Sequence, residues 1–200
     1  MLLHDLVKDY RLILASHSPR RKMLLEGLDL PFEVLVKKGI DESYPDDLEM
    51  KEIPEFLAKK KSEHYTDLLN DKTVIITADT IVWHKNKVIE KPVDVEDAKK
   101  IIALLSADTH TVVTGVCLRT GGMTRVFHSV SQVHFSKLSM HEIDYYIEKY
   151  QPFDKAGAYG IQEWIGYIGI EKIEGSFYNV MGLPVQKLYH ELAEFIKVSR

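Results

Sequence analysis

The chain has 200 residues, 45% hydrophobic and 28% charged, with a net charge of −4. That is enough apolar sequence for a full core, in one domain or two closely joined lobes, and it excludes a disordered chain. There is no general basic field, so stable nucleic-acid binding is not expected and any phosphate recognition must come from a local cluster.

Cys117 is the single cysteine, which excludes an internal disulfide and fits a reducing compartment. It lies in the apolar run Val112–Leu118, the setting of a buried structural thiol rather than a nucleophile. The first residues include His4, Asp5, Lys8 and Asp9 and lack the apolar stretch of a signal peptide. No apolar run approaches the ~18 residues of a membrane span. A cytoplasmic protein without membrane attachment is expected.

In chain order, Leu12-Ile13-Leu14-Ala15 reads as a short buried strand. Ser16-His17-Ser18-Pro19-Arg20-Arg21 then opens a helix, with Ser18 suited to the N-cap and Pro19 to the first helical position. Arg20 and Arg21 fall in the first turn, where the helix dipole favours acids by ~0.3–1 kcal/mol. Arginines oppose the helix there unless an anion binds, because backbone N–H groups and guanidinium forks both suit phosphate oxygens. This is a candidate phosphate site; two solvated arginines are the plain alternative. Helices opened by Asp94-Val95-Glu96-Asp97 and by the capping box Ser139-Met140-His141-Glu142 follow the usual charge rule, which sets the arginine pair apart.

Gly27 ends the first helix. Phe32, Val34 and Val36 alternate with Glu33 and Leu35 as a strand, placing Glu33 on the face opposite Phe32. An acidic, proline-containing connection covers 39–52, and a helix is expected from about Pro54 to Leu69. Ile53, Phe56, Leu57 and Leu68 mark its apolar side, with Lys60 and Lys61 both on or beside it. Periodicity does not choose between those two lysines, and snorkelling is the ordinary use of either.

The strand Val74–Ala78 runs directly into Asp79, the position where open α/β sheets place binding and catalytic groups. A carboxylate there ligates a metal, takes a proton from water, or simply forms a turn. Lys85-Asn86-Lys87 reads as a hairpin tip, followed by Lys91-Pro92. A helix follows Asp94, then a strand over Val112–Leu118, a turn at Gly121-Gly122 and further strand to Phe135. After the capping-box helix, the loop Asp154–Gln162 carries two glycines that permit close approach to a ligand, and Gln162 has an amide able to read a base edge. A strand near Tyr167–Ile173 and a last helix from about Pro184, striped by Val185, Leu188, Leu192 and Phe195, complete the chain. Alternating strands and helices give an α/β fold, and the consecutive strands of 111–136 make its sheet mixed. There is no Walker A loop, G-x-G-x-x-G, H-E-x-x-H or paired C-x-x-C.

Together these segments resemble the Maf family of nucleoside triphosphate pyrophosphatases. Ser16-x-Ser18-Pro19-Arg20-Arg21 is similar to its opening signature, Phe32-Glu33-Val34 to its F-E-V context and Leu57-Ala58-x-x-Lys61-Ser62 to its L-A-x-x-K-A pattern. Ala78-Asp79-Thr80, Lys91-Pro92, His110 with Thr114-Gly115-Val116, Asp154–Gln162 and Asn179-Val180-x-Gly182-Leu183-Pro184 resemble its remaining motifs, in the same order. Departures are Thr77, Ser62 and Glu163, the last standing where the family usually has glycine.

The resemblance implies one catalytic domain over 1–200, an elongated mixed sheet flanked by helices, with two lobes around a nucleotide-binding cleft. It implies hydrolysis of a nucleoside triphosphate to monophosphate and pyrophosphate, assisted by a divalent cation, Mg²⁺ or Mn²⁺. It selects Lys61, with Asp79 and Lys91, as catalytic. Ser16, Arg20, Arg21, Thr80 and Gln162 are implied as substrate contacts and Glu33 and Asp79 as metal ligands. Arg20, Thr80 and Gln162 resemble the subgroup preferring dTTP and UTP, and a homodimer is carried over from the family. Two other readings stand beside this one: a pyrophosphatase for modified nucleotides, and a nucleotide-responsive regulator of cell division without turnover.

Overall fold

A computed structural model describes residues 2–199. Its mixed sheet runs in the order β2-β1-β3-β5-β6-β7, with β4 paired to β3. The strands are β1 (Arg11–Leu14), β2 (Glu33–Val34), β3 (Thr73–His84), β4 (Lys87–Ile89), β5 (Thr109–Arg119), β6 (Thr124–Phe135) and β7 (Ile170–Glu174). β1 is parallel to both β2 and β3, whereas β3/β4 and β6/β7 are antiparallel. Eight helices accompany them among the described residues: α1 (Leu3–Val7), α2 (Pro19–Glu26), α3 (Glu52–Glu63), α4 (Val95–Leu105), α5 (Met140–Tyr150), α6 (Trp164–Gly169), α7 (Phe177–Val180) and α8 (Val185–Val198). This is the mixed α/β architecture expected from the sequence.

The chain forms two compact units, each built from separated segments. The first comprises Met1–Asp79, Thr114–Ser129 and Gly182–Arg200. Its core includes Leu12, Ile13, Leu14, Val74, Ile75 and Ile76, all essentially inaccessible, and each such side chain contributes roughly 1.5–3 kcal/mol by leaving water. Gly115 sits against the start of α3: a Cβ there would lie 2.3 Å from the Pro54 carbonyl, so only glycine lets the helix approach β5. The second unit comprises Thr80–Val113 and Val130–Met181, with α4 packed on α5.

Several elements differ from expectation at their ends. The helix expected to reach Leu69 stops at Glu63, and a single 3₁₀ turn follows at Thr66–Leu68. The alternation around Glu33 yields only two paired residues. Tyr167 and Ile168, expected in a strand, lie in α6, and β7 starts at Ile170. That short helix folds tightly onto the loop before it, since a Cβ on Gly166 would lie 1.8 Å from the Ile161 carbonyl oxygen.

Candidate active site

In the first unit, Ser18 caps α2 by accepting a hydrogen bond from the Arg21 N–H at 3.4 Å, and no acidic residue occupies the first turn. Ser16 Oγ accepts from the Ser18 N–H at 3.2 Å and from Arg21 Nη1 at 3.4 Å. Arg21 Nε donates to the Gly182 carbonyl at 2.9 Å, which gives the closing N-V-x-G-L-P segment a role in aiming that guanidinium. Burial pushes the Arg21 pKa down; Asp79 opposes this, Arg20 adds to it and Glu42 opposes it. These four side chains therefore share one electrostatic neighbourhood, which Lys61 joins through its pairs with Asp79 and Glu42.

Lys61 resolves the ambiguity between the two helix lysines. Its Nζ donates to Asp79 Oδ1 at 2.6 Å and pairs with Glu42 Oε1 at 2.7 Å, with the Lys61 and Asp79 side chains only 14% and 13% exposed. Lys60 turns outward to Asp41 and Ser43. Thr77 fixes the spacing, donating from Oγ1 to the Ala58 carbonyl at 2.6 Å and so tying α3 to β3 just before Asp79. Ser62 is also accommodated: its hydroxyl donates to the Lys59 carbonyl and accepts from Cys117 Sγ. Cys117 is buried with its pKa raised by that burial, the behaviour of a structural thiol.

Glu42 is the residue that the sequence reading missed. It lies in the irregular connection 39–52, where acids are frequent and no periodicity singles one out. Glu33, by contrast, is not brought to Asp79. Strand register sets it level with Ile13 and Ile75, four residues short of Asp79, which is ~13 Å along the sheet. Its carboxylate is held by Arg11 at 2.7 and 2.8 Å.

Among the described residues no group of three or more histidine, cysteine or acidic side chains converges as a metal site. Two carboxylates do converge, Asp79 and Glu42, on one ammonium. Two carboxylates completed by water and phosphate oxygens form the donor set Mg²⁺ takes in nucleotide enzymes, so this pair fits such an ion.

Thr80 and Lys91 belong to the second unit, Thr80 half-buried in β3 and Lys91 exposed after β4. The loop 154–163 packs beneath the Lys91 connection, where the Gly157 N–H donates to the Glu90 carbonyl at 3.3 Å. Gly157 adopts φ +73°, and a Cβ there would crowd Val82 at 3.0 Å. His110 Nε2 and the Tyr159 hydroxyl share a hydrogen bond of 2.7 Å, and burial drives the His110 pKa down to about 3, so the ring is neutral. Gln162 follows in this loop, and its Oε1 is buried with no hydrogen-bond partner among the described residues.

The chain matches the family model described as Maf-like protein over residues 11–195. It belongs to the Maf family. It is 54% identical over 189 residues to a dTTP/UTP pyrophosphatase of Parabacteroides distasonis, covering 94% of this chain and 98% of that protein. It is 53% identical over 191 residues to a dTTP/UTP pyrophosphatase of Phocaeicola vulgatus, covering 96% and 98%. Among solved structures, a nucleoside-triphosphatase (dITP/XTP pyrophosphatase) of Mycobacterium abscessus aligns with a TM-score of 0.41 at 13% identity, over 94% of this chain and 98% of that one. The Maf segments, read onto the structure, supply Ser16, Arg20, Arg21, Lys61 and Asp79 to the first unit and Thr80, Lys91 and Gln162 to the second.

Proposed function

We propose that this Maf protein is a pyrophosphatase for dTTP and UTP, releasing the monophosphate and pyrophosphate. The observation that carries this reading is the Lys61 ammonium held between Asp79 and Glu42, in the electrostatic neighbourhood of Arg20 and Arg21. Three cations and two carboxylates leave that neighbourhood net positive, as an anionic substrate requires. The relatives named dTTP/UTP pyrophosphatase, similar over nearly the whole chain, give the substrate class.

In the proposed reaction water attacks phosphorus, the bond to the leaving pyrophosphate breaks, and Asp79 takes the proton of the attacking water. Arg20 and Arg21 hold phosphate oxygens and oppose the charge that develops on them, with Ser16 orienting Arg21. Lys61 holds Asp79 in place until substrate phosphate competes for its ammonium. A divalent cation, Mg²⁺ or Mn²⁺, would be held by Asp79 and Glu42 and would supply charge neutralisation to the phosphates. Lys91 is a further phosphate cation and Thr80 a further substrate contact. Gln162 reads the base: thymine and uracil present an imide N–H donor, which suits its partnerless acceptor oxygen, whereas cytosine presents an acceptor at that position. The whole chain acts as one catalytic domain, without a nucleic-acid partner, in the cytoplasm. Among the described residues no helix is long and apolar enough to cross a membrane.

The test is pyrophosphate release from a panel of canonical and modified nucleoside triphosphates, with Mg²⁺, Mn²⁺ or EDTA. Metal-dependent release, fastest with dTTP and UTP, is expected. Release only from modified nucleotides would replace the substrate assignment. Nucleotide binding without release from any would replace the enzyme with a nucleotide-responsive regulator.

A further inference from the structure

Glu163 departs from the family's glycine, and the second unit shows what it does. Its carboxylate accepts a hydrogen bond from the Tyr146 hydroxyl and pairs with Lys155 Nζ at 3.2 Å. The same Tyr146 oxygen accepts the buried Gly160 N–H at 2.9 Å. Glu163 is thus tied to the start of the loop 155–163 through Lys155 and to its middle through Tyr146 and Gly160. Gly160 is moulded to this arrangement, since a Cβ there would lie 2.7 Å from the Glu163 carboxyl carbon. Tyr146 is fully buried on α5, and the Glu163 side chain is only 18% exposed. These groups are desolvated, so their hydrogen bonds hold geometry firmly and are costly to leave unmade. Gln162 lies between the two anchored positions, Gly160 and Glu163.

We propose that Glu163, acting with Tyr146, is a positioning residue that fixes Gln162 and thereby sets discrimination among bases. The proposal rests on the reading of Gln162 as the base contact. The contacts of Glu163 are with Tyr146 and Lys155, none of them a group assigned to the phosphoryl chemistry, so its loss is expected to act on base selectivity. A loop with glycine at this position lacks the carboxylate clasp.

The experiment compares kcat and KM for dTTP and dCTP in Tyr146→Phe, Glu163→Gln, Gln162→Ala and the Tyr146→Phe/Gln162→Ala double variant, each checked for a cooperative melt. Tyr146→Phe and Glu163→Gln are expected to raise KM for dTTP about tenfold with kcat within threefold. They are expected to lower the dTTP-over-dCTP ratio of kcat/KM by about tenfold. The double variant should discriminate no worse than Gln162→Ala alone, because both changes act through one amide. A general loss of kcat for both nucleotides at an unchanged ratio would assign Tyr146 and Glu163 a structural role only and overturn the proposal. A changed ratio in Gln162→Ala alone would retain the base contact and remove the clasp. An unchanged ratio in Gln162→Ala would remove the base contact and the clasp together. Tyr146→Phe keeps the ring in the core, so it remains informative if a Glu163 variant fails to fold.

Discussion

Lys61 and Asp79, 18 residues apart in the chain, meet at 2.6 Å with both side chains largely out of water. An ion pair in that setting contributes little to stability compared with an apolar pair of the same size, and breaking it from one side is costly. Its presence beside two arginines is therefore better explained by chemistry than by folding.

Replacing Lys61 with methionine keeps the stem packed and leaves Asp79 without its closest cation. We expect a loss of about 3 kcal/mol, which for a chain of this size lowers Tm by roughly 6–12 °C, together with a deep loss of turnover. Calorimetry of the two proteins at pH 7 checks the first part. An unshifted Tm would show that the pair is not held as described.

Glu42 and Glu33 separate cleanly. Glu33 makes an exposed pair with Arg11, with side chains 51% and 46% accessible, and such pairs contribute ~0–1 kcal/mol. Glu33→Gln should leave kcat and the Mg²⁺ concentration for half-maximal rate within about threefold. Glu42→Gln should raise that concentration at least tenfold, because one of two proposed carboxylate ligands is gone. A reversal of these two results in a metal titration would return Glu33 to the site.

The buried His110 makes stability depend on pH. Burial, the largest cause, holds its folded pKa near about 3, below its usual 6.5. Between those values the unfolded chain binds more protons than the folded one. Stability is thus complete above pH 6.5 and falls as pH drops below it, by about 2 kcal/mol at pH 5. Urea midpoints measured from pH 7.5 to 5 should fall in the parent protein and fall visibly less in His110→Gln. Parallel curves would contradict the assignment.

Much of this was legible in the sequence because it obeyed local rules. Ser18 and Pro19 mark a helix start whatever surrounds them, and Arg20 and Arg21 stand out because they oppose the dipole there. Asp79 stands out because a carboxylate interrupts an apolar run, but the strand end expected there is not found: β3 continues through Asp79 to His84 and pairs with β4. Glu42 was not legible, because only tertiary packing distinguishes it from neighbouring acids in an irregular connection. The same holds for the Tyr146–Glu163 contact, which joins a helix to a loop far along the chain. Residues 167–169 misled for another reason: Ile and Tyr favour strand, and the close packing of this short helix on Ile161 overrides that preference. Between Lys60 and Lys61 the helix period was too coarse to decide, and the contact with Asp79 decides it.

The most direct test of the account is the Asp79→Asn variant, assayed for pyrophosphate release from dTTP and, separately, for dTTP affinity by calorimetry. The substitution keeps the shape and removes the proton acceptor. We expect kcat to fall by at least ~10²–10³-fold, while Kd stays within about tenfold, ~1.4 kcal/mol. Turnover preserved in Asp79→Asn would contradict the account, because the carboxylate held by Lys61 would then have no part in the reaction.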